Sequence, residues 1–149
     1  MSCKDLTRSI ETIMSSLIMS WKNYFEAKMA KYSIRTITMG AVLFSVYKHP
    51  GVVQDDICKM LNMDKAYVTR ELNSLSRLSY IKREKDNIDH RKNHVYVTDA
   101  GREAAETIEA VRCDWSAIEF TGISDEEKKS FLDILNKVQT NVRDKALIF

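Results

Sequence analysis

Apolar residues recur at helical spacing from Asp5 to about Lys31, at Leu6, Ile10, Ile13, Met14, Leu17, Ile18, Trp21 and Phe25. Such a stripe predicts a long amphipathic helix. A second helix is predicted over Ile37–Lys48, with Thr36 as N-cap and Met39, Val42, Leu43 and Val46 facing inward. Pro50-Gly51 ends it, because the residue before a proline avoids the helical region. A short helix over 54–61 follows, with Ile57 and Leu61 inward. Asn62-Met63-Asp64 then turns the chain. Asp64 is placed to cap a further helix that runs to about Leu78 on the stripe Val68, Leu72, Leu75 and Leu78. Two short helices joined by a turn of about three residues make a helix-turn-helix.

The pattern then changes period. Tyr80-Ile81-Lys82-Arg83 reads as a strand, Lys85 to Lys92 as a charged loop, and His94 to Thr98 as a second, alternating strand. A hairpin placed behind a helix-turn-helix is a wing. Thr98 is a cap for a helix over about Asp99–Phe120, with Ile108, Val111, Trp115 and Ile118 inward. Thr121-Gly122-Ile123 breaks it. Ser124 and Glu127 form a capping box for a last helix carrying Phe131, Leu132, Leu135, Val138 and Val142. The expected class is mainly α with a small β-hairpin wing.

Composition narrows the choices. The 149 residues predict one domain with a real core, since 44% are hydrophobic. Four glycines and one proline are too few for a barrel of many short strands. The segment Leu6 to Phe25 is interrupted by Arg8, Glu11 and Lys22, which argues against a membrane span or a signal peptide. Cys3, Cys58 and Cys113 are odd in number and widely spaced, which points to a reducing, cytoplasmic setting. Net charge is +2, but residues 65–102 hold nine basic against five acidic side chains, whereas 103–149 hold six against ten. The basic middle is a footprint for phosphate.

The predicted second motif helix carries the sharpest chemistry. Its buried stripe leaves Lys65, Ala66, Thr69, Arg70 and Asn73 on the other side. Arg pairs with guanine and Asn with adenine in the major groove, while Thr and Ala meet the thymine methyl. Lys65 stands at the helix N-terminus, which favours phosphate. In the loop, Arg91 suits a minor groove, and Asp89 two residues earlier is placed to orient it. Lys92 adds a phosphate contact. The expected partner is double-stranded DNA.

Several of these segments together resemble the MarR family of transcription regulators. Asp89-x-Arg91, five residues, then Val97-Thr98 fits that family's wing pattern D-x-R-x(5)-[LV]-T, and Gly101-Arg102 continues it. Pro50-Gly51-Val52 and Gln54 resemble its P-G-[IV]-[TS]-Q segment. Val68-Thr69-Arg70-x-Leu72-x-x-Leu75 resembles its recognition helix. Val53 departs where the family usually has a Ser or Thr cap, and Met39 replaces a common Gln that bears on a pocket lining. The resemblance implies a homodimeric repressor on a palindromic operator. Segments 1–35 and 121–149 would form the dimer base, 36–102 the winged motif and 99–120 a long connecting helix. The apolar stripes at 6–25 and 131–146 independently exceed what one small domain needs.

The family also suggests release by a small aromatic ligand. Trp21, Tyr24, Phe25, Tyr32, Phe44, Tyr47 and Trp115 are candidates to line such a pocket, although aromatics at helical spacing usually serve as core. Cys58 reads as a packed, inert thiol, and a cysteine redox switch is an alternative mode of regulation. His90 and His94 lie in a loop and a strand, so no metal site is expected. No cofactor is implied. No phosphate loop, nucleophile–base set or paired acidic motif points to an enzyme. The rival class is a winged-helix protein-interaction module, against which Lys65, Arg70, Arg91 and Lys92 weigh.

Overall fold

The computed structural model describes residues 2–88 and 92–145. It forms two compact units, Met1–Arg112 and Cys113–Phe149. Helix α5, Asp99–Glu119, contributes to both.

The first unit opens with α1, Cys3–Met29, followed by a single 3₁₀ turn at Ala30–Tyr32. Residues 4–20 of α1 are exposed throughout, and only its last two turns enter the core, through Phe25 and Met29. Helix α2, Ile37–Lys48, begins where the Thr36 hydroxyl accepts from the Met39 N–H, as the sequence predicted. Strand β1, Val52–Val53, leads directly into α3, Gln54–Leu61. Helix α4, Lys65–Arg77, follows a short turn. Strands β2, Ile81–Lys85, and β3, Asn93–Val97, complete the unit with the start of α5.

The expected hairpin is one part of a three-stranded antiparallel sheet in the order β1-β3-β2. β1 escapes a periodicity reading because it is two residues long and pairs over forty positions away, Val52 with Val95 and Val53 with His94. The turn before it needs Gly51, whose φ of +81° is open to glycine at no steric cost. The strand boundaries also move. Tyr80 lies outside β2 because its N–H is spent on the Leu75 carbonyl at the end of α4. The ladder therefore begins at Ile81, opposite Val97.

Ile57, Val68, Leu72 and Leu75 from the two motif helices join Val42, Leu43 and Val46 of α2 in one core. Val95 closes it from the sheet, and Ala104, Ala105 and Ile108 from α5. The start of α5 presses against the strand connection. A Cβ on Gly101 would collide with the Tyr80 carbonyl, so this family-like glycine answers a steric demand.

The second unit contains the end of α5 and helix α6, Asp125–Lys145. Its start is the predicted capping box: the Ser124 hydroxyl accepts from the Glu127 N–H at 3.2 Å, and the Glu127 carboxylate from the Ser124 N–H at 2.8 Å. Phe131, Leu132, Leu135, Val138 and Val142 are 36–57% exposed along α6. No helix among the described residues is long and apolar enough to cross a membrane.

Candidate nucleic-acid interface

The site is built from α3, the turn after it, α4 and the sheet. Asn62 closes α3 in the left-handed region at φ 50°, and its N–H reaches the Cys58 and Lys59 carbonyls. Asp64 then caps α4 by accepting from the Tyr67 N–H at 2.8 Å. α3 lacks a side-chain cap, as Val53 in that position implies. Instead, its first residue binds across the motif. The Gln54 amide donates to the Thr69 hydroxyl at 2.7 Å and to the Lys65 carbonyl at 3.2 Å. Thr69 in turn donates to the Lys65 carbonyl. Gln54 thus fixes the angle between the two helices at the end where α4 begins.

Val68, Leu72 and Leu75 hold the inner face of α4 in the core. Lys65, Ala66, Arg70 and Asn73 are exposed opposite them, and Thr69 is half-buried. The predicted set is therefore on one face, but its members are not equally free. Lys65 pairs with Asp55 of α3 at 2.8 Å, an exposed contact of small energetic value. The Arg70 guanidinium lies 4.2 Å from the Tyr67 ring centroid. The Asn73 side-chain oxygen accepts from Arg83 of β2 at 2.8 Å. The sequence shows Arg83 only as part of a strand, and the bond follows from the packing of β2 beside α4 rather than from any local pattern.

Helix and sheet meet in a cavity of about 140 Å³ lined by Gln54, Lys65, Arg83, Lys92 and neighbouring residues. The structure thus brings Gln54, Lys65 and Lys92 to one concavity, which Arg83 enriches in positive charge. Asp89, His90 and Arg91 lie outside the described residues.

The root of the loop is held by His94. Its Nδ1 faces the Gly51 carbonyl and its Nε2 the Asp86 carboxylate, each at 2.7 Å. Both partners are acceptors, so the ring satisfies both only as imidazolium. Asp86, then the Gly51 carbonyl, raise its pKa above the ordinary value. With both nitrogens engaged, His94 has none to spare for a metal.

The aromatic candidates divide. Phe25 is core, packed at 5.3 Å centroid separation against the half-buried Trp21. Tyr24 and Tyr32 pack partly buried on the same core. Phe44 and Tyr47 adjoin at 6.1 Å, with Lys48 over both rings and Arg112 over Phe44. Trp115 belongs to the second unit. Cys58 is half-buried, and burial pushes its thiol up, which disfavours the reactive thiolate. Cys113 is exposed.

A helix-turn-helix whose second helix presents a polar, exposed face, followed by a sheet that carries basic residues to the same side, defines a winged helix-turn-helix protein. The family model described as MarR family matches residues 39–92. The uncharacterized HTH-type transcriptional regulator YwhA of Bacillus subtilis is 28% identical over 129 residues, 87% of this chain and 91% of that protein. The HTH-type transcriptional regulator BilQ of Clostridioides difficile is 26% identical over 133 residues, 88% of each. Among solved structures, S. aureus MepR in complex with DNA superposes with a TM-score of 0.79 at 24% identity, covering 95% of this chain and 98% of that one. Streptococcus pneumoniae FabT in complex with DNA gives 0.78 at 20% identity, covering 96% and 99%. The chain is thus similar to the MarR family over residues 39–92, and it shares the fold of these solved structures.

Proposed function

We propose that the protein is a sequence-specific, double-stranded DNA-binding transcription regulator that acts in the cytoplasm as a homodimeric repressor on a palindromic operator. The observation that carries the reading is the exposed face of α4, where Lys65, Ala66 and Arg70 stand clear of the core beside a basic concavity shared with the sheet. A helix face of this composition suits the major groove, and the cations around it suit the flanking phosphates. Arg91, with Asp89 to orient it, would enter the minor groove.

The dimer rests on apolar surface that each unit leaves uncovered. On α1, Leu6, Ile10, Ile13, Met14, Leu17 and Ile18 are 44–60% exposed at helical spacing. The α6 stripe is its counterpart. Contiguous apolar stripes of this length are rare on a monomer and fit a self-complementary C2 interface. Two copies would present two reading helices to two half-sites.

Selection of bound duplexes from a random pool, followed by anisotropy titration at two salt concentrations, tests the DNA reading. A palindromic consensus with a steep salt dependence is expected. Equal, weak binding to every duplex would overturn it and favour a protein-interaction module. Sedimentation tests the assembly: a dimer is expected at micromolar concentration, and Leu17→Asp should dissociate it, because an unpaired charge in an apolar interface is costly. A stable wild-type monomer of 17.2 kDa would overturn the dimer.

A further inference from the structure

A second cavity, of about 400 Å³, lies beside α4 and the start of α2. Arg35, Arg70 and Arg77 line it, together with Glu71, Met39 and Leu78. Glu71 is the anomaly. It is only 7% exposed, the sole charged side chain in the core of the described residues. No described residue donates a hydrogen bond to it or forms an ion pair with it. Only the field of neighbouring Arg70 eases its charge, and burial pushes its carboxyl up. The residue is largely buried, yet its carboxylate oxygens keep contact with solvent, and Glu71 lines the cavity, where a ligand cation can reach it. The arginines that line the cavity with it are exposed, the Arg77 guanidinium donating to the Ser74 hydroxyl at 3.1 Å and that of Arg70 stacked on Tyr67.

The cavity thus offers two unlike recognition elements side by side. A simple anion such as phosphate would meet the arginines but leave Glu71 unpaired and repelling it. A simple cation would pair with Glu71 against the arginine charge. A zwitterion satisfies both, and Met39 and Leu78 supply an apolar wall for a short side chain. We propose that this cavity binds a free α-amino acid with an apolar side chain, its carboxylate on the arginines and its ammonium on Glu71.

Binding would bear on function through Arg70, which lines this cavity and also stands on the reading face of α4. A guanidinium engaged by the ligand carboxylate is withdrawn from a base edge, so ligand and DNA weaken each other's binding reciprocally. This last step rests on the proposed DNA-reading role, whereas occupancy of the cavity does not.

Calorimetric titration of the full chain, free of DNA, separates the two. The probes are L-leucine, 4-methylpentanoate without the ammonium, isopentylamine without the carboxylate, and inorganic phosphate. Leucine should bind, and the three others should bind weaker by about tenfold or more. Glu71→Gln, nearly isosteric and checked for an unchanged melt, should weaken leucine by about tenfold while sparing 4-methylpentanoate. Absence of leucine binding at millimolar concentration overturns the site. So does phosphate binding as tightly as leucine with no effect of Glu71→Gln, which would mark a plain basic groove. In a second arm, leucine should lower the affinity for a selected duplex, and Arg70→Ala should abolish that effect. Leucine that binds but leaves duplex affinity unchanged overturns the competition through Arg70.

Discussion

The guanidinium of Arg83 on β2 donates to the side-chain oxygen of Asn73 on α4 at 2.8 Å, so the sheet is tied directly to the helix proposed to read DNA. Asn73 has the chemistry of an adenine reader, but its acceptor is already in use. Two roles are therefore separable. A reader would lose preference at one base pair when removed, whereas a strut would lose affinity for every duplex alike. The bond favours the strut. Asn73→Ala should weaken all duplexes by a similar factor, and Asn73→Ala with Arg83→Ala should bind no worse than Arg83→Ala alone. A double-mutant cycle on duplex affinity measures this, with a coupling of about 0.5–1 kcal/mol expected for neighbours sharing one bond. Relaxed preference at a single position in Asn73→Ala would show a reader instead.

Gly101 sits where a Cβ would overlap the Tyr80 carbonyl. That obstacle is backbone, held in turn by the Thr98 N–H at 3.0 Å, and cannot rotate aside as a side chain does. Gly101→Ala should therefore destabilise the fold by about 1–3 kcal/mol, the usual scale of overpacking, despite the better helix propensity of alanine. Urea unfolding measures it, and an unchanged midpoint would mean that α5 can shift.

These two cases show how far the sequence alone reaches. Caps were legible at Thr36, Asp64 and Ser124 because each bonds within three residues of itself. The inner stripe of α4 was legible because burial repeats with the helix. Strand β1 was not, since its two residues acquire meaning only opposite Val95 and His94. The Asn73–Arg83 bond was hidden too, because it depends on how β2 lies beside α4. Glu71 was hidden for a different reason: a carboxylate beside an apolar stripe reads as fully solvated, whereas in the fold the residue is only 7% exposed and lines a cavity. Among the expected readers, the face was visible and the internal partners of its residues were not.

His94 makes the root of the loop sensitive to pH. Two acceptors at 2.7 Å require a proton on each ring nitrogen, and Asp86 first, then the Gly51 carbonyl, raise the pKa from the ordinary 6.5. Lys92 opposes them. Because the folded value lies above the unfolded one, the stabilisation is fully present below pH 6.5 and is lost as pH rises through the folded value. Wild-type stability should therefore fall on going from mildly acidic to alkaline buffer more than that of His94→Gln, which cannot take up the proton. Denaturation midpoints of both proteins across that range provide the measurement. Parallel curves would mean that His94 is neutral and one of the two contacts is not a hydrogen bond.

Arg70 and Tyr67 make the last case. The guanidinium lies 4.2 Å from the ring centroid, one helical turn back along α4. Stacking of this kind limits the rotamers of a long, exposed side chain and so lowers the entropy lost when it docks on a base. If Arg70 reads guanine, Arg70→Ala should cost about 1–3 kcal/mol on the selected duplex and relax one base pair in each half-site. Tyr67→Ala should cost less and leave the preferred base unchanged, because the reader remains but is no longer held. Lys65→Ala and Lys92→Ala should weaken every duplex similarly and reduce the salt slope by about one phosphate contact per half-site. Arg91→Ala should weaken A·T-rich flanks more than G·C-rich ones, as expected for an arginine in a narrow minor groove. Anisotropy titrations on matched duplexes separate these outcomes. An Arg70→Ala protein with the selectivity of the wild type would remove Arg70 from the reading face, and with it the reason for Tyr67 to stack there.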